Sequence, residues 1–162
     1  MVPAYQIDQR VVYPSQGVGR ILEIREKSFK DTTVLYYIIY LEFSDMTVMV
    51  PVDKAAQLGL RPIVPQDEAQ LALSFISEDY APIPSDWKLR YQMNLDLLKK
   101  GSIMDIASVV RSLYHRSKIK ELPILERKLY DSAINLLQDE ISFSLGKSKE
   151  EISELIHARL ES

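Results

Sequence analysis

Pro84-Ser85-Asp86-Trp87-Lys88-Leu89-Arg90-Tyr91 is the stretch that divides this chain. Short β-branched and aromatic runs joined by polar turns precede it, and capped amphipathic segments follow it. Read as the start of a helix, it commits the sequence to strands first and helices second. It also holds the chain's only tryptophan, followed by two cations, Lys88 and Arg90. An aromatic in that setting is either a core anchor or a wedge held against nucleic acid by phosphate-binding cations.

At 100° per residue, Trp87, Tyr91, Leu95 and Leu98 form one stripe, and Leu89, Met93 and Leu97 form a second. Two apolar stripes predict a helix packed on two sides, which favours the core reading of Trp87. Its place in the first turn, where a side chain can project past the core, keeps the wedge reading open. Ser85 is the expected cap and Gly101 the expected stop.

Downstream, Ser102 and Asp105 begin a further helix whose core stripe is Ile103, Ile106, Ala107, Val110, Leu113 and Tyr114, with Arg111, His115 and Lys118 on another face. A loop is expected over 117–122. Pro123 then opens a long helix reaching Leu145 and stopped by Gly146. Ser148-Lys149-Glu150-Glu151 is a capping box for a last amphipathic helix carrying Ile152, Leu155, Ile156 and Leu160. A compact bundle of about four helices follows from this pattern.

Upstream, Tyr13-Pro14-Ser15-Gln16-Gly17-Val18-Gly19 reads as a turn; its Gly-x-Gly lacks the third glycine and the following helix of a phosphate loop. Val18 to Lys27 alternates, placing Val18, Arg20, Leu22, Ile24 and Glu26 on one face and Gly19, Ile21, Glu23, Arg25 and Lys27 on the other. Val34 to Leu41 is too densely apolar for a one-sided strand and should be central, and Met46 to Val50 is a strand stopped by Pro51. These short strands describe a Tudor- or SH3-like antiparallel barrel, which offers an edge or a rim to a partner. The fold class is therefore α+β, a small N-terminal barrel followed by a C-terminal helical bundle. The domain division falls at 1–65 and 66–162, with a linker over about 51–65, helical spacing over 66–77 and a second proline-rich joint at 78–84.

The net charge of -3 is unevenly spread. Residues 1–80 carry 7 Lys/Arg against 11 Asp/Glu, 81–128 carry 10 against 5, and 129–162 carry 3 against 7. The basic block begins at the tryptophan stretch, and local sign governs the field that a phosphate backbone meets. With no cysteine, the chain has neither disulfides nor thiolate chemistry. His115 and His157 lie in different helices without neighbouring ligands, no serine sits in a nucleophile elbow, and no P-loop is present. Neither an enzyme nor a cofactor or metal protein is expected. No stretch is apolar enough to span a bilayer, which points to a cytoplasmic protein without membrane partners.

Taken in order, Val12 to Gly19, Met46-Thr47-Val48-Met49-Val50-Pro51, Gly59-Leu60-Arg61, Trp87-Lys88-Leu89-Arg90-Tyr91, Ile106 to Tyr114 and Glu126-Arg127-Lys128 resemble the CarD/CdnL family of bacterial RNA polymerase-binding transcription regulators, over about Ile7 to Leu160. The resemblance implies a Tudor-like domain that binds the polymerase β subunit and a helical domain that touches promoter DNA, largely without sequence preference. It implies further that the tryptophan matching Trp87 enters the minor groove and stabilises the open complex. By position it assigns Lys27, Met49 and Pro51 to polymerase. To DNA it assigns Trp87 and Arg90, with Lys88, Lys99, Lys100 and Arg111 as supporting cations of the basic block, in a monomer brought to the nucleoid by polymerase. Some members carry arginine where Met49 stands, and many carry two arginines where this chain has Leu89-Arg90. The competing reading is a protein-interaction adaptor that binds polymerase or another partner without touching DNA.

Overall fold

The computed structural model describes residues 2–79 and 82–162 and divides into two compact units, Met1–Ile63 and Val64–Ser162. In the first, strands β1 (Arg10–Tyr13), β2 (Gly17–Phe29), β3 (Thr32–Leu41), β4 (Met46–Pro51) and β5 (Arg61–Pro62) form one antiparallel sheet in the order β4-β3-β2-β1-β5. Val34 to Leu41 lies in the central β3, as its density of apolar side chains requires. Ile21, Tyr37, Ile39, Leu41 and Val50 are the heart of the core. The buried Tyr37 hydroxyl accepts from the backbone N–H groups of Ala4 and Tyr5 at 2.9 and 3.2 Å, so the N-terminal segment satisfies a polar atom that the core would otherwise bury unpaired.

The strict alternation expected along β2 is broken. The register with β3 shifts between Ile21 and Glu23, a bulge that turns Leu22 outward and leaves both Ile21 and Ile24 facing the core. The two glycines of the first turn also act differently from one another. Gly17 has φ 95, a conformation that L side chains avoid. Gly19 has no such backbone; a Cβ there would stand 2.6 Å from Ile39 Cγ2, so this position is glycine for want of space.

The second unit contains α1 (Gln66–Phe75), α2 (Trp87–Lys100), α3 (Ile103–Ile119), α4 (Ile124–Leu145) and α5 (Lys149–Glu161). Its core joins Leu73 and Ile76 to Val109, Val110 and Leu113 of α3, Leu137 and Ile141 of α4, and Ile152 and Ile156 of α5. Two caps form as their sequences direct: Ser102 Oγ accepts from Asp105 N at 3.1 Å, and Ser148 Oγ from Glu151 N at 3.1 Å. The α2 cap lies one residue later than expected, because Asp86, not Ser85, accepts from Lys88 N at 3.1 Å. Helix α3 runs on through Ile119, shortening the loop expected from 117.

The units part between Ile63 and Val64 for a local reason. Val64 N–H donates to Glu140 Oε2 at 3.0 Å, and its carbonyl accepts from Ser144 Oγ at 2.7 Å, so two residues one turn apart on α4 hold both polar groups of Val64. The joint expected at 78–84 falls within the helical unit, and Tyr80 and Ala81 of that joint lie outside the described residues.

Candidate interaction surfaces

Side chains two apart on a strand share a face, so register decides what meets on the sheet. Met49 pairs with Ile38 and Ile38 with Glu23; Pro51 pairs with Tyr36 and Tyr36 with Arg25; Lys27 pairs with Val34. Lys27, Met49 and Pro51 therefore lie on one face, opposite the core face of Tyr37, Ile39 and Val50. Met49 is 39% exposed and Lys27 is also exposed. Beside them Arg25 donates through Nε and Nη2 to Glu23 Oε1 and Oε2 at 3.0 and 2.9 Å, a fork that holds the Glu23 carboxyl below its ordinary pKa. The alternation of β2 already set Glu23 and Arg25 on the face of Lys27; sequence reasoning gave neither of them, nor Tyr36, a part in the surface. Tyr36 joins them through the register of β3 with β2 and β4, which β2 alone does not encode. Strand β4 ends the sheet order, leaving one side of its ladder without a strand partner among the described residues.

Helix α2 departs most from its sequence reading. Its buried residues are Arg90, Asn94 and Leu98, a row at i, i+4 and i+8 that is polar for its first two positions. Arg90, 2% exposed, donates through Nε to Glu126 Oε2 at 2.7 Å and through Nη2 to Glu126 Oε1 at 2.5 Å. Its Nη1 donates to the carbonyls of Pro84 and Ser85 at 3.0 and 3.2 Å. Asn94 Oδ1 accepts from Ser112 Oγ at 3.3 Å. The helix is thus not packed along both apolar stripes: Leu89 and Met93 are 52% and 47% exposed.

The basic residues separate into two groups. Trp87, 37% exposed, and Lys88 stand at the first turn of α2, while Lys99 and Lys100 are exposed in the last, about 18 Å further along the axis. Arg90 and Arg111, which the resemblance assigns to DNA, do not stand outward with these lysines. Arg90 is enclosed with its carboxylate. The half-buried Arg111 lies 3.8 Å over the Phe75 ring and donates through Nη1 to the carbonyls of Phe75 and Asp79 at 3.1 and 3.3 Å. Burial of the partly covered guanidinium lowers its pKa, and burial together with Arg111 lowers that of His115. Lys118, Lys120, Arg127 and Lys128 are exposed on the α3 end, the α3–α4 connection and the first turns of α4, an extension of the basic surface that the block of charge foretold only in bulk.

No group of three or more metal-ligating side chains is found among the described residues, and no helix there is long and apolar enough to cross a membrane. What the two units offer is surface: a mixed apolar and charged sheet face, and a helix start bearing an exposed tryptophan beside Lys88.

Comparison with known proteins covers both units. Residues 5–64 match the family model described as CarD-like/TRCF RID domain, and residues 72–157 match that described as CarD, C-terminal domain. Over 152 residues the chain is 36% identical to the Bacillus subtilis (strain 168) protein named "Putative transcription factor YdeB", covering 91% of this chain and 97% of that protein.

Proposed function

This chain belongs to the CarD family, a family of transcription regulators and not of enzymes, and on that premise we propose that it holds the RNA polymerase β subunit with its first unit and promoter DNA with its second. The polymerase surface is the sheet face of Lys27, Met49 and Pro51, extended by Tyr36 and the Arg25–Glu23 fork. The DNA surface is Trp87 with Lys88, Lys99 and Lys100. The observation that carries this reading is the state of Trp87: the only tryptophan is more than one-third exposed at the first turn of α2, directly before the exposed Lys88.

A few lysines give weak, salt-sensitive and sequence-independent DNA affinity. Tethering through polymerase raises the local DNA concentration to about the millimolar range, where weak contacts suffice. An aromatic that enters a distorted base step favours melted promoter over closed duplex, and each kcal/mol of that preference changes the population about fivefold. Replacing Trp87 by alanine should leave helical content and polymerase binding unchanged while shortening the open-complex lifetime. An unfolded Trp87→Ala protein would return the side chain to the core.

The inward placement of Arg90 and Arg111 favours a second reading, an adaptor that binds polymerase without touching DNA. Salt-dependent crosslinking from Lys88 to promoter DNA in the ternary complex separates the two. Its absence supports the adaptor.

A further inference from the structure

We propose that Arg90, locked by Glu126, is the positioning residue for Trp87, setting the angle at which α2 presents the indole; this rests on the reading of Trp87 as the DNA-contacting side chain. Arg90 holds three consecutive carbonyls immediately before the tryptophan. Its backbone N–H donates to Asp86 O at 3.0 Å, and its Nη1 donates to Ser85 O and Pro84 O at 3.2 and 3.0 Å. Its remaining fork is held by Glu126, 36 residues away on α4 and 0% exposed. The backbone leading into Trp87 is thus tied to α4 and not merely to its own helix.

Stability alone does not explain this arrangement. A well-packed apolar pair of the same volume generally stabilises a core as well as a buried ion pair does, or better. What apolar side chains lack is the directional grip on the Pro84 and Ser85 carbonyls. The indole, with more than one-third of its surface exposed, is held only in part by its own packing. Placement of its backbone must come from the segment before it. An aromatic held in one orientation binds without the loss of ordering that a mobile one incurs.

The tests use the full chain and its single tryptophan as reporter, excited where tyrosine absorbs little. Arg90→Lys keeps the charge opposite Glu126 but loses the planar fork. Arg90→Met with Glu126→Met removes both charges and keeps volume. Both should retain helical circular dichroism and polymerase binding, with lower tryptophan anisotropy and greater quenching by acrylamide. If release lets the segment before Trp87 take two further orientations of equal weight, the competent fraction falls to about one-third and open-complex lifetime shortens about threefold. Adding Trp87→Ala to the double variant should then bring the lifetime to that of Trp87→Ala alone.

Wild-type anisotropy and quenching in a folded double variant would overturn the proposal, as would loss of the helical fold in both variants, which would make the pair a requirement of folding. Should Trp87→Ala itself leave the open-complex lifetime unchanged, the DNA reading fails; the anisotropy comparison still decides whether the pair orients the indole.

Discussion

Arg90 and Glu126 meet through two hydrogen bonds of 2.7 and 2.5 Å, with side chains only 3% and 0% exposed. Each compensates the charge that the other brings inside. Removing one partner leaves the other buried and unpaired, whereas removing both leaves an apolar contact. Arg90→Ala or Glu126→Ala should therefore destabilise the helical unit by about 3–5 kcal/mol. The double Arg90→Met, Glu126→Met variant should cost far less, giving a strongly non-additive cycle. Urea unfolding followed by far-ultraviolet circular dichroism measures all four corners.

This pair also marks where the sequence became illegible. The caps at Ser102 and Ser148 and the stops at Gly101 and Gly146 are local, each complete within a few residues, and so could be read directly. Arg90 and Glu126 are 36 residues apart, and each alone has the residue type of a solvated helix face. Nothing in the spacing of α2 indicates that its inward row is polar, because that depends on Glu126 and Ser112 in other helices. The bulge after Ile21 escaped notice for a similar reason: it is defined by pairing with β3, not by the composition of β2.

The sheet face yields a prediction that separates the two surfaces. Met49→Glu places a carboxylate on the same face as the Glu23–Arg25 fork, across Ile38 from Glu23, because Met49 and Glu23 both pair with Ile38. Arg25→Ala leaves Glu23 without its fork. Both side chains are substantially exposed, so neither change should move the unfolding midpoint by more than about 0.5 kcal/mol. Each should weaken association with the isolated β subunit about tenfold, the effect of losing one contact worth about 1.4 kcal/mol. Trp87→Ala, on the other unit, should leave that association unchanged; surface plasmon resonance compares them.

Alkaline pH should reveal Tyr130. Burial pushes its hydroxyl up to about 12, opposed by Arg127, whose guanidinium lies 5.7 Å from the ring centroid. A phenol with a raised folded-state pKa keeps its proton while the unfolded chain loses it. Stability is therefore full below the unfolded value of about 10 and falls as pH rises from about 10 to about 12. The loss is at most about 2 kcal/mol after allowing for solvent screening near the ring. Tyr130→Phe should remove this component, so the denaturant midpoint of the tyrosine protein should fall relative to that of Tyr130→Phe across that window. A constant difference would place the hydroxyl in contact with water.

Salt dependence distinguishes the cations that face outward from those held within the protein. Each lysine that displaces a counterion from a phosphate adds about 0.9 to the slope of log affinity against log salt on duplex DNA. Lys88→Ala, and separately Lys99→Ala with Lys100→Ala, should each flatten that slope in polymerase-tethered promoter binding, the paired change by about twice as much. Arg111→Ala should leave the slope unchanged, because its guanidinium already lies over Phe75 and donates to the Phe75 and Asp79 carbonyls. Its effect should instead be a lower melting temperature as α1 loses its hold on α3. Trp87→Ala should lower affinity by the same factor at every salt concentration, since an uncharged ring releases no counterions. A slope that fell with Arg111→Ala and not with Lys88→Ala would mean that α3 turns its cation toward DNA in the complex, and it would move the DNA contact away from the surface argued from exposure.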